Sequence, residues 1–222
     1  ELNFSVTSPQ VTIPEYLARA KEQGISENAS ISVIVGDFQR IELYARLGYQ
    51  LPQEIPEQVQ QAITDDLDVI INCAAYNEVD KAEEDEQAAM KVNAEAVGLI
   101  AAAAKEADAL LIHFSSDYVF DGKANTPYTE EDAPNPLSAY GRSKLAGEKA
   151  VQESGCRYMI FRTSWLYSLT GKNFFKTMAE KCADSPEAKV VFDQTGTPTN
   201  AEDLAAFIMH IITEDMLDKT GL

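Results

Sequence analysis

The sequence predicts an α/β fold: a doubly wound parallel sheet followed by a small, truncated second lobe. Three observations predict it. Unbroken apolar runs recur along the chain, helical spacing fills the gaps between them, and the pattern loosens after residue 168. An unbroken run suits a strand covered on both faces, whereas a strand with one wet face alternates. Repetition of strand and helix then calls for parallel pairing, because the chain must cross back over the sheet each time. In such a sheet the ligand side is the carboxyl end of the strands.

The run "ISVIVG" (31–36) reads as a buried strand, "LDVIINCAA" (67–75) as a second and "ALLIHFSS" (109–116) as a third. Residues 83–106 carry helix spacing, with Ala89, Val92, Ala96, Leu99, Ile100 and Ala103 as one stripe. The acidic run "EEDE" (83–86) lies near that helix's start, where the dipole favours negative charge. Segment 117–137, "DYVFDGKANTPYTEEDAPNPL", has three prolines and two aromatic clusters and reads as a long loop across the top of the sheet. A helix follows over 138–153. "RYMIFRTSWLY" (157–167) is a fourth strand and "KVVFD" (189–193) a fifth. After residue 168, "GKNFFKTM" opens a helix, "DQTGTPTN" is rich in turn formers, and "AEDLAAFIMHII" (201–212) is an amphipathic helix. Residues 1–168 are therefore expected to form a Rossmann-like dinucleotide-binding domain, atypical over 1–66, and residues 169–222 to begin a substrate-binding lobe.

Composition narrows the function. The chain has 222 residues, 45% of them hydrophobic, which suffices for a sizeable core. Its 36 acidic and 18 basic residues give a formal charge of −18. Such a surface repels nucleic acid and anionic membranes, so neither is expected as a partner. A phosphate-bearing ligand must then find a local basic or dipolar pocket. Cys73, Cys156 and Cys182 are odd in number and form no CxxC, as expected for reduced thiols in a cytoplasmic protein. No apolar run reaches membrane-spanning length and no signal pattern opens the chain. His113 and His210 lie far from cysteines, so no zinc site is expected, and His113, inside a strand, reads as structural.

The chemistry begins in "SAYGRSKLAGE" (138–148). Tyr140 and Lys144 are four apart on a helix and share a face. A phenol ionises near pH 10, and an ammonium held beside it favours the phenolate. Ser115 and Ser116, at the end of the third strand, offer a hydroxyl that could hold the same substrate oxygen. Tyrosine, lysine and serine together describe proton transfer to a carbonyl during its reduction, or the reverse. Side chains supply no hydride, so a nicotinamide cofactor is implied.

The stretches "DVIINCAAYNEVDKAEED", "SSDYVFDG", "PYTEEDAPNPLSAYGRSKLAGE", "RTSWLY", "NFFKTM" and "DQTGTPT", in that order over residues 66–212, resemble the dTDP-4-dehydrorhamnose reductases, members of the extended short-chain dehydrogenase/reductases. The resemblance implies reduction of dTDP-4-dehydro-L-rhamnose with NADPH or NADH, feeding bacterial cell-surface polysaccharide. By it, Tyr140 donates the proton, Lys144 lowers its pKa and holds the nicotinamide ribose, and Ser116 stands where the family usually has threonine. Asp117 would help bind the sugar and Tyr118 would lie near the cofactor. Ala74, Ala75 and Tyr76 would pass beneath the cofactor, with Asn77 in place of the usual threonine. Asn93 would steady the neighbouring backbone. Trp165 would stack on sugar or base, a core anchor being the alternative reading. Arg162 and Lys176 would meet the diphosphate, although Arg162 could equally pair with a carboxylate at the sheet edge. Gln194, Gly196, Pro198 and Thr199 would form a substrate-side turn.

The family also carries a GxxGxxG turn near its start. Residues 1–29 hold one glycine, Gly24, and Gly36 and Gly48 lie twelve apart without that turn. A non-catalytic, reductase-like binding or regulatory module is therefore the alternative function, with a reductase or epimerase of another nucleotide sugar as a third. Some members dimerise with help from Mg2+, so a homodimer is among the expected partners, but no ligand cluster for the ion can be assigned from the sequence.

Overall fold

The computed structural model describes residues 3–6, 30–34, 68–169, 173–184, 187, 190–191, 193–213 and 220–222, with backbone alone for the first two segments. Most of 1–66, where the family's phosphate-binding turn is expected, lies outside the described residues.

Strands β1 (Asn3–Val6), β2 (Ser30–Ile34), β3 (Val69–Asn72), β4 (Leu110–Ser116) and β5 (Arg157–Thr163) form one sheet in sequence order. The first four pair in parallel, with Ile70 beside Leu111 and Asn72 beside His113. Between β3 and β4 run α1 (Val79–Glu84), α2 (Glu86–Met90), a π turn (Lys91–Glu95) and α3 (Ala96–Glu106). Between β4 and β5 run a 3-10 turn (Asp117–Val119), the long loop and α4 (Ala139–Ser154). Strands added in sequence order with right-handed crossovers put successive helices on one face. Accordingly α3 and α4 pack together over Ile70, Leu111 and Ile160, through Val97, Ile100, Ala104 and Val151. The other face of the same strands, Val69, Ile71, Leu110 and Ile112, is buried too. Both faces are covered, which is the physical reason that the apolar runs do not alternate.

The expected strands at 67–75 and 109–116 are thus present, the first trimmed to four residues. That at 157–167 is divided: β5 ends at Thr163, and Leu166–Tyr167 form β6 after a turn at Trp165, whose φ is +46°. The strand expected at 189–193 is not formed where it is described, since Val190 and Val191 lie in no strand and are exposed.

The helix expected over 83–106 is broken twice. Asp85 stops α1 and caps α2, its carboxylate accepting from Ala88 N at 3.0 Å. The π turn then inserts one residue into the helical repeat. The buried positions run Ala89, Val92, Val97, Ile100, Ala101, Ala103 and Ala104, so the expected stripe holds at Ala89, Val92, Ile100 and Ala103 and is lost at Ala96 and Leu99. Ala96 and Leu99 are half-buried. α4 agrees with its expected range: Ser138 caps it by accepting from Gly141 N, and Gly155 ends it at φ +73°.

The chain separates into two compact units, Glu1–Phe161 with Lys219–Leu222, and Arg162–Asp218. In the first, Gly221 returns to β5, where Ile160 N donates to Gly221 O and Gly221 N to Tyr158 O. In the second, β6 pairs in parallel with β7 (Thr199–Asn200), beside α5 (Phe174–Asp184) and α6 (Ala201–Thr213). Among the described residues no helix is long and apolar enough to cross a membrane.

Candidate active site

The carboxyl ends of β3 and β4 and the first turns of α4 meet in the first unit. β4 delivers Ser116 in extended backbone, and its hydroxyl caps the 3-10 turn that follows. Ser116 Oγ accepts from Tyr118 N at 3.2 Å and donates to Asp117 Oδ1 at 3.0 Å. From α4, the Tyr140 phenol approaches the same hydroxyl closely enough for Ser116 to act on its pKa. The Tyr140 ring packs edge-on against Tyr118, centroids 5.5 Å apart, and against Ala82, Ala89 and Tyr76.

Two glycines let α4 come this close. A Cβ on Gly141 would lie 2.2 Å from Tyr118 O, and one on Gly147 would lie 2.0 Å from Asn93 O. Each site thus needs the absence of a side chain. Two acidic residues fix the start of α4 from α1 and α2: Glu83 accepts from Ala139 N at 2.7 Å, and Glu86 holds Arg142 through two bonds of 2.7 and 2.8 Å.

Lys144 lies one turn below Tyr140 and is nearly inaccessible. Its Nζ donates to Phe114 O at 2.6 Å. Burial pushes the ammonium down to about 8, opposed by Glu148 one turn further on. The expectation that Lys144 lowers the phenol is not met. Tyr140 is pushed up to about 12 by burial, partly countered by the Ser116 hydroxyl, while Asp117 and Tyr118 add to the rise. Lys144 is not among the groups acting on it, because its head is turned to the β4 carbonyl. A shared helix face fixes where two side chains start, not where they end. Asp117 is held above the usual carboxylate range, chiefly by burial.

The loop after β3 is pinned at two points. Asn72 Oδ1 accepts from Ala74 N at 3.1 Å, and its amide nitrogen lies 3.2 Å from His113 Nδ1. His113 is fully buried and pushed down to about 3 by burial and by Lys144, so it is neutral. Asn93, in the π turn, brackets Tyr76: Oδ1 accepts from Tyr76 N at 2.7 Å and Nδ2 donates to Tyr76 O at 3.0 Å and to Ser143 Oγ at 2.9 Å. Ser143 in turn donates to Tyr140 O. Ala74, Ala75 and Tyr76 are half-buried along this ledge, and Asn77 is exposed.

The long loop is tied down by Asp121, which accepts from Lys123 N, Tyr128 Oη and Asn135 Nδ2, while Tyr128 stacks on Phe120 at 4.3 Å. In the second unit, the Trp165 ring is half-exposed and covers Gly196, where a Cβ would meet it at 2.9 Å. It is not a core anchor. Lys176 is half-buried in the first turn of α5, which Asn173 caps at Lys176 N. Arg162 is half-buried on β5, and Gln194 is exposed. Among the described residues no group of three or more His, Cys, Asp or Glu side chains is placed to hold a metal ion.

Ser116, Asp117, Tyr118, Tyr140, Lys144, Asn93 and Tyr76 are thus gathered in one region. Sequence reasoning passed over Gly141, Gly147, Ser143, Asn72 and the Glu86–Arg142 pair. A signal for the glycines existed: each costs about 1 kcal/mol inside a helix and so asks for a packing reason.

The family of the RmlD substrate binding domain matches residues 35–221. A dTDP-4-dehydrorhamnose reductase of Burkholderia thailandensis is 45% identical over 167 residues, covering 75% of this chain and 56% of that protein. The chain spans about half the length of the curated relatives it matches. A crystal structure of a dTDP-4-dehydrorhamnose reductase from Clostridium acetobutylicum superposes with a TM-score of 0.75 at 36% identity, over 96% of this chain and 70% of that one. One from Bacillus anthracis, in complex with NADP, gives 0.70 at 38% identity, over 81% and 61%.

Proposed function

This chain belongs to the family of the RmlD substrate binding domain, and from that premise we propose that it serves the NADPH- or NADH-dependent reduction of a dTDP-4-dehydro sugar, dTDP-4-dehydro-L-rhamnose foremost. One observation carries the reading: the Tyr140 phenol and the Ser116 hydroxyl come together at the carboxyl end of a parallel sheet, with a buried lysine one turn away.

Each residue has a task. Ser116 and Tyr140 bind the carbonyl oxygen between them, and Tyr140 gives up its proton as that oxygen becomes an alcohol. A phenol held near 12 stays fully protonated at neutral pH, as an acid must before it reacts. The hydride would come from a nicotinamide held beside these two residues. The residues present fit such a cofactor. An ammonium has three donors and Phe114 O takes one, so Lys144 keeps donors that could serve a ribose hydroxyl. Ala74, Ala75 and Tyr76 form a ledge whose backbone is already fixed by Asn72 and Asn93. Tyr118 borders it, and Asn77 lies at its open end.

Trp165 is assigned to the substrate. A non-glycine residue at φ +46° with an exposed indole face costs free energy that core packing does not explain. A flat apolar face suits a sugar or a base. Arg162 and Lys176 would supply positive charge for the diphosphate, and Gln194 a polar contact. No Mg2+ ligand set is assigned.

The test is NAD(P)H consumption with dTDP-4-dehydrorhamnose, native protein beside Tyr140→Phe, together with calorimetric titration of both cofactors. Turnover lost in the variant and cofactor binding kept would support the reading. Equal rates would overturn the role of Tyr140, and no cofactor binding by the native chain would favour a non-catalytic module.

A further inference from the structure

We propose that His113 is a positioning residue for the cofactor, acting through the Asn72 amide on the backbone of the ledge at 74–76. The inference rests on the reductase reading above, which assigns that ledge to the cofactor.

Asn72 ends β3, and His113 lies beside it in register on β4. Both are at 1% exposure or less. A side-chain amide can face either way, and its two ends differ: the oxygen accepts and the nitrogen donates. Here the choice is forced. Ala74 N is a donor, so Asn72 Oδ1 faces it, at 3.1 Å. Asn72 Nδ2 is then turned to His113 Nδ1 at 3.2 Å, and that nitrogen must accept. The ring proton therefore sits on Nε2. The opposite tautomer would set two donors against each other. The amide would lose its anchor, or turn over and present its nitrogen to Ala74 N. In the second case Ala74 N loses its acceptor as the chain leaves β3.

Packing does not account for a histidine at this place. Nε2 is buried, and among the described residues no group accepts from it. A buried donor without an acceptor costs free energy that an apolar side chain of similar size would not. What the ring offers, and an apolar side chain lacks, is an acceptor for Asn72. Burial and the Lys144 ammonium both keep the ring neutral, so Nδ1 stays unprotonated. The far end of the ledge is held separately, by Asn93 on Tyr76 N and O. His113 thus bears on the Ala74 end.

The experiment is calorimetric titration of the 222-residue chain with NADPH and NADH. Native protein is compared with His113→Leu, His113→Asn, Asn72→Ala and the Asn72→Ala, His113→Leu double variant. In His113→Leu the Kd should rise by roughly tenfold, the scale of one buried hydrogen bond lost. Its urea midpoint should stay near native, because the change removes one unsatisfied donor at Nε2 and leaves another at Asn72 Nδ2. A lowered midpoint with an unmoved Kd would mean that His113 only fills the core and would overturn the inference. His113→Asn offers an oxygen near the place of Nδ1 and should bind cofactor more tightly than His113→Leu. Equal weakening in the two would count against the acceptor role and overturn it. In the double variant the losses should not add, since both changes act on one path. Additive losses would rule out the route through Asn72. A further readout needs no variant to fold: 15N NMR of histidine-labelled native protein should show Nε2 protonated and Nδ1 bare, and a proton on Nδ1 sinks the proposal. A native chain that binds neither cofactor takes down the reductase reading and this inference with it. A native chain that binds, beside a His113→Leu variant that binds equally well, sinks the inference alone.

Discussion

Helices α4 and α5 reverse the usual sorting of side chains. α4 buries Lys144, Glu148 and Ser143, all at 2% exposure or less. α5 buries none of its residues and leaves Phe174 and Phe175 at 69% and 59% exposure. Judged by hydrophobicity alone, α5 should be the better anchored. Its sequence is amphipathic, and α4 is polar on average. α4 is held instead by close backbone approach and by hydrogen bonds to Asn93, Glu83, Glu86 and the β4 carbonyl. Burying an ammonium there is costly. Its fall from 10.5 to about 8 places a penalty of about 3 kcal/mol on the charged form. The comparison teaches that α4 is built to position groups at the expense of stability, while each α5 residue contributes little to its own unit.

Four substitutions sharpen or break this contrast. The largest effect is expected from Tyr140→Phe, with a loss of about 10²–10⁴-fold in turnover at nearly unchanged stability. Steady-state rates and a urea midpoint test both halves. Next, Lys144→Met should abolish cofactor-dependent turnover yet raise stability at pH 7 by about 1–3 kcal/mol, net of the lost bond to Phe114 O. The sign follows from a folded-state value below the unfolded one. Below pH 8 the native protein carries the full penalty of a buried charge. As pH rises from 8 to 10.5 the folded state sheds its proton first and recovers stability. The advantage of methionine should therefore be largest at pH 7 and nearly gone by pH 10.5. Equal denaturation midpoints at pH 7 would contradict it.

Gly147→Ala comes third. Helix propensity alone would favour alanine by about 1 kcal/mol, but the Cβ would sit 2.0 Å from Asn93 O. A net loss of about 1–3 kcal/mol is expected from overpacking, measured by urea unfolding, and a gain would show that α4 can simply move outward. The smallest effect belongs to Phe174→Ser, within about 0.5 kcal/mol of native, since its ring is mostly in water. A larger loss would show that α5 is better anchored than its exposure indicates.

Much of the first unit was legible because burial on both sheet faces writes itself as unbroken apolar runs. Tyr140, Lys144 and Ser116 were legible from spacing and order, and Asn93 only from resemblance. The π turn was not legible, since one extra residue leaves no mark in propensity and only displaces the apolar stripe from Ala96 to Val97. The direction of Lys144 was hidden for a different reason. Its stem can reach several acceptors, and which one wins depends on where the Phe114 carbonyl points. The turn at Trp165 was hidden because aromatic residues seldom adopt positive φ, so nothing in "RTSWLY" argues against an extended strand.

The return of Gly221 to β5 has a consequence for how the polypeptide comes into being. Residues 219–222 belong to the unit that opens the chain, and 162–218 form another. On a ribosome, residues 162–218 are all in hand while β5 still lacks the partner that Gly221 supplies. The order of maturation can thus run against the order of translation, with the edge of β5 open to wrong partners until position 222 has cleared the exit tunnel.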